Sequence, residues 1–175
     1  MYTQMLTSKK GGELISFKVN GEEKIHQGEH CMDENGKIYW KRHSPVLFPI
    51  VGKLKKNQTL IGGRTYELMQ HGFARDMKFN QIEENHYVLT YNEETLKKYP
   101  YKFELHVIYQ IIEDTLQVEY QVKNIDNKKI YFGLGGHPAF SCDYSTWQYE
   151  IVFEEKEDKI KFLKLKTGLI DTEKA

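Results

Sequence analysis

The feature of this sequence that most constrains its fold is a long alternating segment, KFELHVIYQIIEDTLQVEYQVKN, at residues 102–124. Apolar side chains recur there at every second position, which is the period of a β-strand with one buried face. The alternation is interrupted at Glu113 and Asp114, where the polar residues favour a turn. The segment therefore predicts a β-hairpin. The positions expected on the apolar face of its first strand are Phe103, Leu105, Val107 and Tyr109.

Four further segments have the composition of strands. ELISFKVN at residues 13–20 alternates, and VLFPIVG at 46–52 is a short apolar run closed by proline and glycine. KFNQIEENHYVLTY at 78–91 predicts two strands around a polar EEN turn. YEIVFEEKEDKIKFLKL at 149–165 predicts another hairpin, with a charged tip between its arms. Strands therefore dominate the expected secondary structure.

The helix candidate is NEETLKKY at residues 92–99, which opens with an asparagine cap and acidic residues and ends with lysines before Pro100. This order of charges suits the helix dipole. The sequence shows no low-complexity linker and no repeat of fixed period, and 175 residues is the size of one domain. We therefore expect a single all-β domain over residues 1–175, built as an antiparallel sandwich of many strands.

The charge balance limits the possible partners. Twenty-five basic and 25 acidic side chains give a formal net charge of zero, so the positive surface of a nucleic-acid binder or a polybasic membrane anchor is not expected. The first ten residues lack the apolar core of a signal peptide, and no window approaches a membrane span. Cys31 and Cys142 are interpreted as reduced thiols. These features predict a cytoplasmic protein that acts on a small molecule.

Metal binding is a weaker hypothesis. The segment HQGEHC places His26, His30 and Cys31 close together, but Gly28 separates the histidines and no helical pattern surrounds them. A loop or strand directs such side chains in unrelated directions, so the expectation is no metal and no cofactor. A jelly-roll metal protein, with His26, His30, His71 or His137 as ligands, stays open as an alternative.

Two other histidine segments point to acid–base chemistry. QHGFARD at residues 70–76 and YFGLGGHPAFSC at 131–142 each place a histidine beside glycine at a break in the β pattern. Glycine permits sharp turns and close approach, and Pro138 biases His137 away from helical geometry. Imidazoles titrate near neutral pH, so two that converge are plausible proton donors and acceptors. Two merely structural histidines remain the alternative.

Four motifs, in this order along the chain, resemble the aldose 1-epimerase (galactose mutarotase-like) family, particularly its LacX-type branch. They are GGELISFKVNGEEKIHQGE, YWKRHSPVLFPIVGKLKKN, QHGFARDMKF and YFGLGGHPAFSC. The likeness extends over essentially the whole chain. It implies a β-supersandwich fold and a cofactor-independent enzyme. That enzyme would interconvert the α and β anomers of an aldose or a sugar phosphate.

The resemblance also implies roles for individual residues. His137 matches the general acid that protonates the ring oxygen, and His71 matches the second site histidine, which hydrogen-bonds the sugar. Arg75 matches the arginine that contacts phosphate in hexose-6-phosphate mutarotases, and a planar guanidinium suits that role. Lys53 lies near a substrate-contacting arginine of galactose mutarotases. A structural ion pair between Arg75 and Asp76 is the alternative for that arginine.

The family's catalytic glutamate has no match in this sequence. It belongs to a later strand of a longer domain, so we expect this chain to be the N-terminal part of a mutarotase domain, incomplete at its C-terminal end. Open sheet edges would then favour self-association. A non-catalytic carbohydrate-binding protein of the same fold is the alternative function.

Overall fold

The strands of the protein are described by a computed structural model. It describes residues 2–28, 32–142, 150, 152, 154, 165–167 and 169–170. His30 and Cys31 lie outside the described residues, as does nearly all of the hairpin expected at 149–165. The strands are β1 Thr3–Ser8, β2 Glu13–Val19, β3 Glu22–Glu23, β4 Val46–Leu47, β5 Gln58–Ile61, β6 Arg64–Glu67, β7 Asn80–Glu83, β8 His86–Thr90, β9 Phe103–Ile112, β10 Thr115–Asn124, β11 Gly135–Gly136, β12 Leu165–Lys166 and β13 Leu169–Ile170.

The largest sheet has four antiparallel strands in the order β10-β9-β8-β7. Its central feature is the β9–β10 hairpin, in which Thr115 pairs with Ile112 and Asn124 pairs with Phe103. The turn lies at Glu113 and Asp114, so the predicted hairpin is confirmed. Its predicted apolar face is confirmed as well, because Phe103, Leu105, Val107 and Tyr109 are all buried.

The other strand predictions have mixed outcomes. The expected strand at 13–20 is β2, which pairs with β1 and β3, and the two strands expected within 78–91 are β7 and β8. The run at 46–52 is only a two-residue strand, β4. Pro49 has no N–H for a ladder, and the Phe48 carbonyl instead accepts hydrogen bonds from the backbone of Phe73 and Ala74.

The predicted helix is present as α1, Glu93–Lys98. The side chain of Asn92 accepts from the backbone N–H groups of Glu94 and Thr95, and the Thr95 hydroxyl accepts from the N–H of Asn92. This reciprocal cap satisfies donors that a short helix leaves unpaired. Lys98 pairs with Glu94 one turn away at 2.8 Å, as the charge order predicts.

The core is aromatic where β4 meets the main sheet. The ring of Phe48, which has no exposed surface, lies 4.9 Å from that of Phe103 and 5.8 Å from that of Tyr99. These contacts join the loop after β4 to β9. The same loop binds the backbone of His71 through the Gly52 carbonyl, so His71 is attached to the main sheet through it. The all-β, antiparallel fold class predicted from the sequence is confirmed. None of the helices in the described part of the chain is long and apolar enough to cross a membrane.

Candidate functional site

Residues 135–141, called the His137 strip below, begin with the two-residue strand β11. Residues 131–134 are irregular, whereas Gly135 and Gly136 themselves pair with Leu47 and Val46. The sequence predicted a break in the β pattern beside these glycines, but the glycines themselves are the paired residues. Position 136 requires glycine because a Cβ there would lie 2.8 Å from the hydroxyl oxygen of Tyr120. Glycine allows β11 to pass that close to β10.

Hydrogen bonds on both sides continue this strip beyond β11. The N–H of His137 donates to the carbonyl of Pro45 at 3.1 Å, and the N–H of Ala139 donates to that of His43 at 2.9 Å. On the other side, the N–H of His26 donates to the carbonyl of Ala139, and that of Ser141 donates to Lys24. The backbone that carries His137 thus runs between residues 43–47 and 24–26.

His71 is held by its backbone and by its ring. Its φ of +69° lies in the left-handed region, which is unusual for a non-glycine residue. Its N–H donates to the carbonyl of Gly52, and its Nδ1 contacts the carbonyl oxygen of Val51. Because a carbonyl only accepts, neutral His71 carries its proton on Nδ1, which leaves the lone pair on Nε2. The side-chain amide nitrogen of Gln70 lies 3.2 Å from that Nε2.

The structure brings His71 and His137 together. Their ring centroids are 5.6 Å apart with an interplanar angle of 72°. His137 is exposed and His71 is half-buried, so both rings are accessible to a small molecule at the surface. The indole of Trp40 lies 5.2 Å from the His137 ring and 5.9 Å from that of His26, whose Nε2 contacts the Trp40 carbonyl at 2.9 Å.

Arg75 is bound to the backbone of the residue before His71. Its Nη2 donates to the carbonyl of Gln70 at 2.9 Å, and its Nε is 3.7 Å from the carboxylate of Asp76, beyond hydrogen-bond range. Asp76 is instead bound by Arg42 at 2.8 Å. Burial, followed by the positive charge of Arg42, holds the pKa of Arg75 below its ordinary value. The buried Nε of Arg75 has no hydrogen-bond partner among the residues described.

Lys53 follows Gly52, whose carbonyl binds the backbone of His71. Its ammonium group, however, donates to the carbonyl of Thr167 at 2.9 Å. The structure therefore brings His71 and His137 together, attaches Arg75 to the backbone next to His71 through the Gln70 carbonyl, and places Lys53 on an adjoining loop. Sequence reasoning missed Trp40 and Arg42 as neighbours of this region, although both belong to the YWKRHSP motif on which the resemblance rested.

In the part of the chain that the structure describes, the two imidazoles belong neither to a metal-ligand cluster nor to the groove beside α1. Within the described ranges, no group of three or more histidine, cysteine, aspartate or glutamate side chains is arranged to hold a metal ion. A groove of about 760 Å³ lies beyond the 71–76 segment and is lined by Gly72, Phe73 and Asp76 together with residues of α1. Its wall includes no imidazole, so this groove is separate from the surface where His71 and His137 meet.

Solved structures define the class of fold. A galactose mutarotase related enzyme from Lactobacillus acidophilus matches with a TM-score of 0.74 and 36% identity, over 84% of this chain and 49% of that one. A galactose mutarotase-like protein from Lactobacillus casei matches with a TM-score of 0.71 and 35% identity, over 79% of this chain and 47% of that one. The fold is therefore galactose mutarotase-like.

Sequence comparison gives the family. The aldose 1-epimerase family model matches residues 2–172, and the LacX protein of Lactococcus lactis is 33% identical over 92% of this chain and 57% of its own length. The chain belongs to the aldose 1-epimerase family, and the resemblance drawn from its motifs is confirmed. It spans about half the length of the relatives that it matches.

Proposed function

We propose that this chain carries the acid and substrate-anchoring residues of an aldose 1-epimerase. The observation that carries the proposal is the convergence of the His71 and His137 rings at 5.6 Å on an accessible surface. Ring opening of a hemiacetal requires a proton at the ring oxygen and removal of one from the anomeric hydroxyl. Two imidazoles on one surface supply groups that can donate and accept protons in such transfers.

In the proposed mechanism, His137 donates its proton to the ring oxygen. The Nε2 of His71 is the ring nitrogen that does not contact the Val51 carbonyl, and it hydrogen-bonds a sugar hydroxyl in place of the Gln70 amide. The open-chain aldehyde then rotates about its first carbon–carbon bond, and reclosure on the other face gives the other anomer. Deprotonation of the anomeric hydroxyl needs a base, which the family resemblance assigns to a glutamate. In the described segments, neither imidazole is hydrogen-bonded to a carboxylate.

We also propose that the substrate is anionic, as a sugar phosphate is. Arg42 and Arg75 lie on either side of Asp76, which leaves this trio one net positive charge. The Nε of Arg75 is a buried donor with no partner among the described residues, and guanidinium groups bind phosphate in a bidentate manner. The structural ion pair with Asp76 explains Arg75 less well, because the carboxylate is closer to Arg42.

Anomerisation assays test both proposals. Freshly dissolved α-D-glucose, α-D-galactose and their 6-phosphates are added to this chain, and the approach to anomeric equilibrium is followed by polarimetry or NMR exchange. Acceleration that the His137→Asn substitution lowers by roughly 10²–10⁴-fold supports the acid role of His137. Because the family's glutamate has no match in this sequence, acceleration by this chain itself would mean that another carboxylate supplies the base. The Arg75→Lys variant keeps the charge and loses the planar guanidinium. It should therefore weaken the binding of the 6-phosphates and leave the binding of the free sugars unchanged.

A carbohydrate-binding protein without catalysis is the second candidate function. It is favoured by the absence, among the described residues, of a carboxylate bound to either imidazole. Titration of the same sugars by calorimetry separates the two functions. Binding of a sugar without accelerated anomerisation supports the binding protein and contradicts the enzyme, whereas acceleration that depends on His137 contradicts the binding protein.

We propose self-association through the outer edge of β10. Within the described ranges, β9 is the strand partner of β10, and the other edge of this ten-residue strand has no strand beside it. An open edge of this length is a template for pairing with another chain. Size-exclusion chromatography with light scattering should show a mass that rises with concentration, and a constant monomer mass contradicts the proposal.

A further inference from the structure

Two carboxylates hold the segments on either side of the His137 strip. Glu13, on β2, is only 9% exposed. Its Oε1 accepts hydrogen bonds from the backbone N–H groups of His43 at 2.9 Å and Ser44 at 2.8 Å. Burial of a carboxylate is unfavourable unless it is compensated, and donation from two amides provides that compensation. Glu13 therefore fixes the backbone of residues 43–44.

Glu23, on β3, does the same on the other side. Its Oε1 accepts from the backbone of Phe17 and of Ile25, each at 3.0 Å, and its Oε2 accepts from the hydroxyl of Ser16 at 2.5 Å. Burial opposes ionisation, but the Ser16 hydroxyl and the two amides outweigh it and hold the pKa of Glu23 below its ordinary value. Glu23 therefore fixes the backbone at Ile25.

The segments that these carboxylates fix are the ones that bind the His137 strip. The carbonyls of His43 and Pro45 accept from the N–H groups of Ala139 and His137. On the opposite side, Ile25 forms a β-bridge with Phe140. The strip is thus held between two short pieces of backbone, each attached to a β-strand through one glutamate side chain.

The His137 ring depends on this backbone for its orientation. In the part of the chain that the structure describes, its imidazole makes no hydrogen bond of its own, and its nearest aromatic neighbours are Trp40 and His71. A displacement of about 1 Å in a catalytic group can change a rate by about 10²-fold. An exposed ring without hydrogen bonds is placed only as precisely as the backbone that carries it.

We propose that Glu13 and Glu23 are positioning residues that together fix His137 in the geometry required for proton transfer. The kinetic part of this inference rests on the proposed epimerase function. The spectroscopic part does not, because it concerns only where the His137 ring lies. Neither carboxylate is assigned contact with the substrate.

The test uses Glu13→Gln and Glu23→Gln in this chain, since glutamine keeps the volume and an accepting oxygen but removes the charge. The control is Asp126→Asn. Asp126 also accepts from two backbone amides, those of Lys102 and Asn127, at 2.9 and 2.8 Å, but it lies in a turn that does not bind the His137 strip. Imidazole resonances are recorded by NMR, with thermal unfolding and kcat and KM for anomerisation.

We expect each glutamate substitution to shift and broaden the His137 resonances and to leave those of His86 unchanged. We further expect kcat to fall about tenfold with KM within about twofold of the parent. Asp126→Asn should change neither the His137 resonances nor kcat. Unaltered His137 resonances in both folded variants would overturn the inference, whatever happens to the melting temperature.

Two further outcomes have defined meanings. If Glu13→Gln does not fold, Glu23→Gln decides, because Glu23 is less buried and acts from the other side. Shifted His137 resonances in that variant support positioning, and unshifted ones contradict it. If the parent chain accelerates no sugar, the proposed function fails by itself, and the resonances still support or overturn the placement of His137.

Discussion

The β9–β10 hairpin and the strip around His137 are stabilised in different ways. The hairpin pairs ten residues of each strand in continuous register and buries one apolar face. The strip contains a two-residue strand, and its other hydrogen bonds reach residues about 90 or more positions earlier in the chain. The hairpin therefore owes its structure to neighbouring sequence, and the strip owes its structure to distant parts of the fold. Substitutions in the hairpin should mainly lower the free energy of unfolding, and substitutions that displace the His137 strip should mainly lower the rate of proton transfer.

The largest expected effect comes from the hairpin's core. Phe103 has no exposed surface and packs against Phe48 and Tyr99. Phe103→Ala should lower the free energy of unfolding by about 3–5 kcal/mol, because it removes buried apolar area and leaves a cavity. Urea denaturation measures this loss. Ile112→Ala, an exposed position of the same strand, should change it by less than about 0.5 kcal/mol, and equal losses would refute the comparison.

The turn that carries His71 should be the next most sensitive. Gly72 has a φ of +73°, and a Cβ there would overlap the carbonyl oxygen of Phe48. We expect Gly72→Ala to destabilise the fold by about 2–4 kcal/mol, from the left-handed backbone together with the clash. Gly63→Ala separates the two causes, since Gly63 has a φ of +78° and open space around it. It should cost only about 1–2 kcal/mol in a denaturant titration.

A smaller effect should appear where the two regions touch. A Cβ on Gly136 would meet the Tyr120 hydroxyl, so Gly136→Ala should cost about 1 kcal/mol or slightly more. Tyr120→Phe removes the obstructing oxygen. In a double-mutant cycle, the alanine should therefore be better tolerated in the Tyr120→Phe background. Additive losses would mean that the contact between β10 and β11 does not require glycine.

The smallest expected effect is a change in folding stability with pH, in which both the hairpin and the His137 strip stay folded. Burial, which outweighs the hydrogen bond to Glu104, lowers the pKa of His106 below its ordinary 6.5. The unfolded chain therefore binds this proton more readily than the folded one. The contribution of His106 to stability is complete above pH 6.5 and declines as the pH falls from there toward the folded-state pKa.

Denaturant titrations between pH 7.5 and 5.5 measure this decline. A His106→Gln variant should lose less stability over that range than the parent. His86 serves as the control because its Nε2 lies 3.0 Å from the Nδ1 of His106. If the pH dependence followed a His86→Gln substitution instead, the assignment to His106 would be incorrect.

The accuracy of prediction from sequence follows the same division. The strands at β2, β7, β8, β9 and β10 and the capped helix α1 were predictable, because alternation and capping act between residues close in the chain. The short β4 was not, because the Phe48 carbonyl bonds to the 73–74 backbone rather than to a neighbouring strand. The need for glycine at position 136 comes from the Tyr120 hydroxyl, which no local pattern reveals.

The sequence by itself determined the all-β class, the main hairpin, the helix cap and, through its ordered motifs, the aldose 1-epimerase family. Only the tertiary structure decided that His71 and His137 meet, that Arg42 competes with Arg75 for Asp76, and that Glu13 and Glu23 hold the His137 strip. The reason is physical. Periodicity and capping depend on neighbouring residues. The contacts Glu13–His43, Arg42–Asp76, His71–His137 and Ile25–Phe140 instead join positions 30 or more apart and exist only once the core has brought them together.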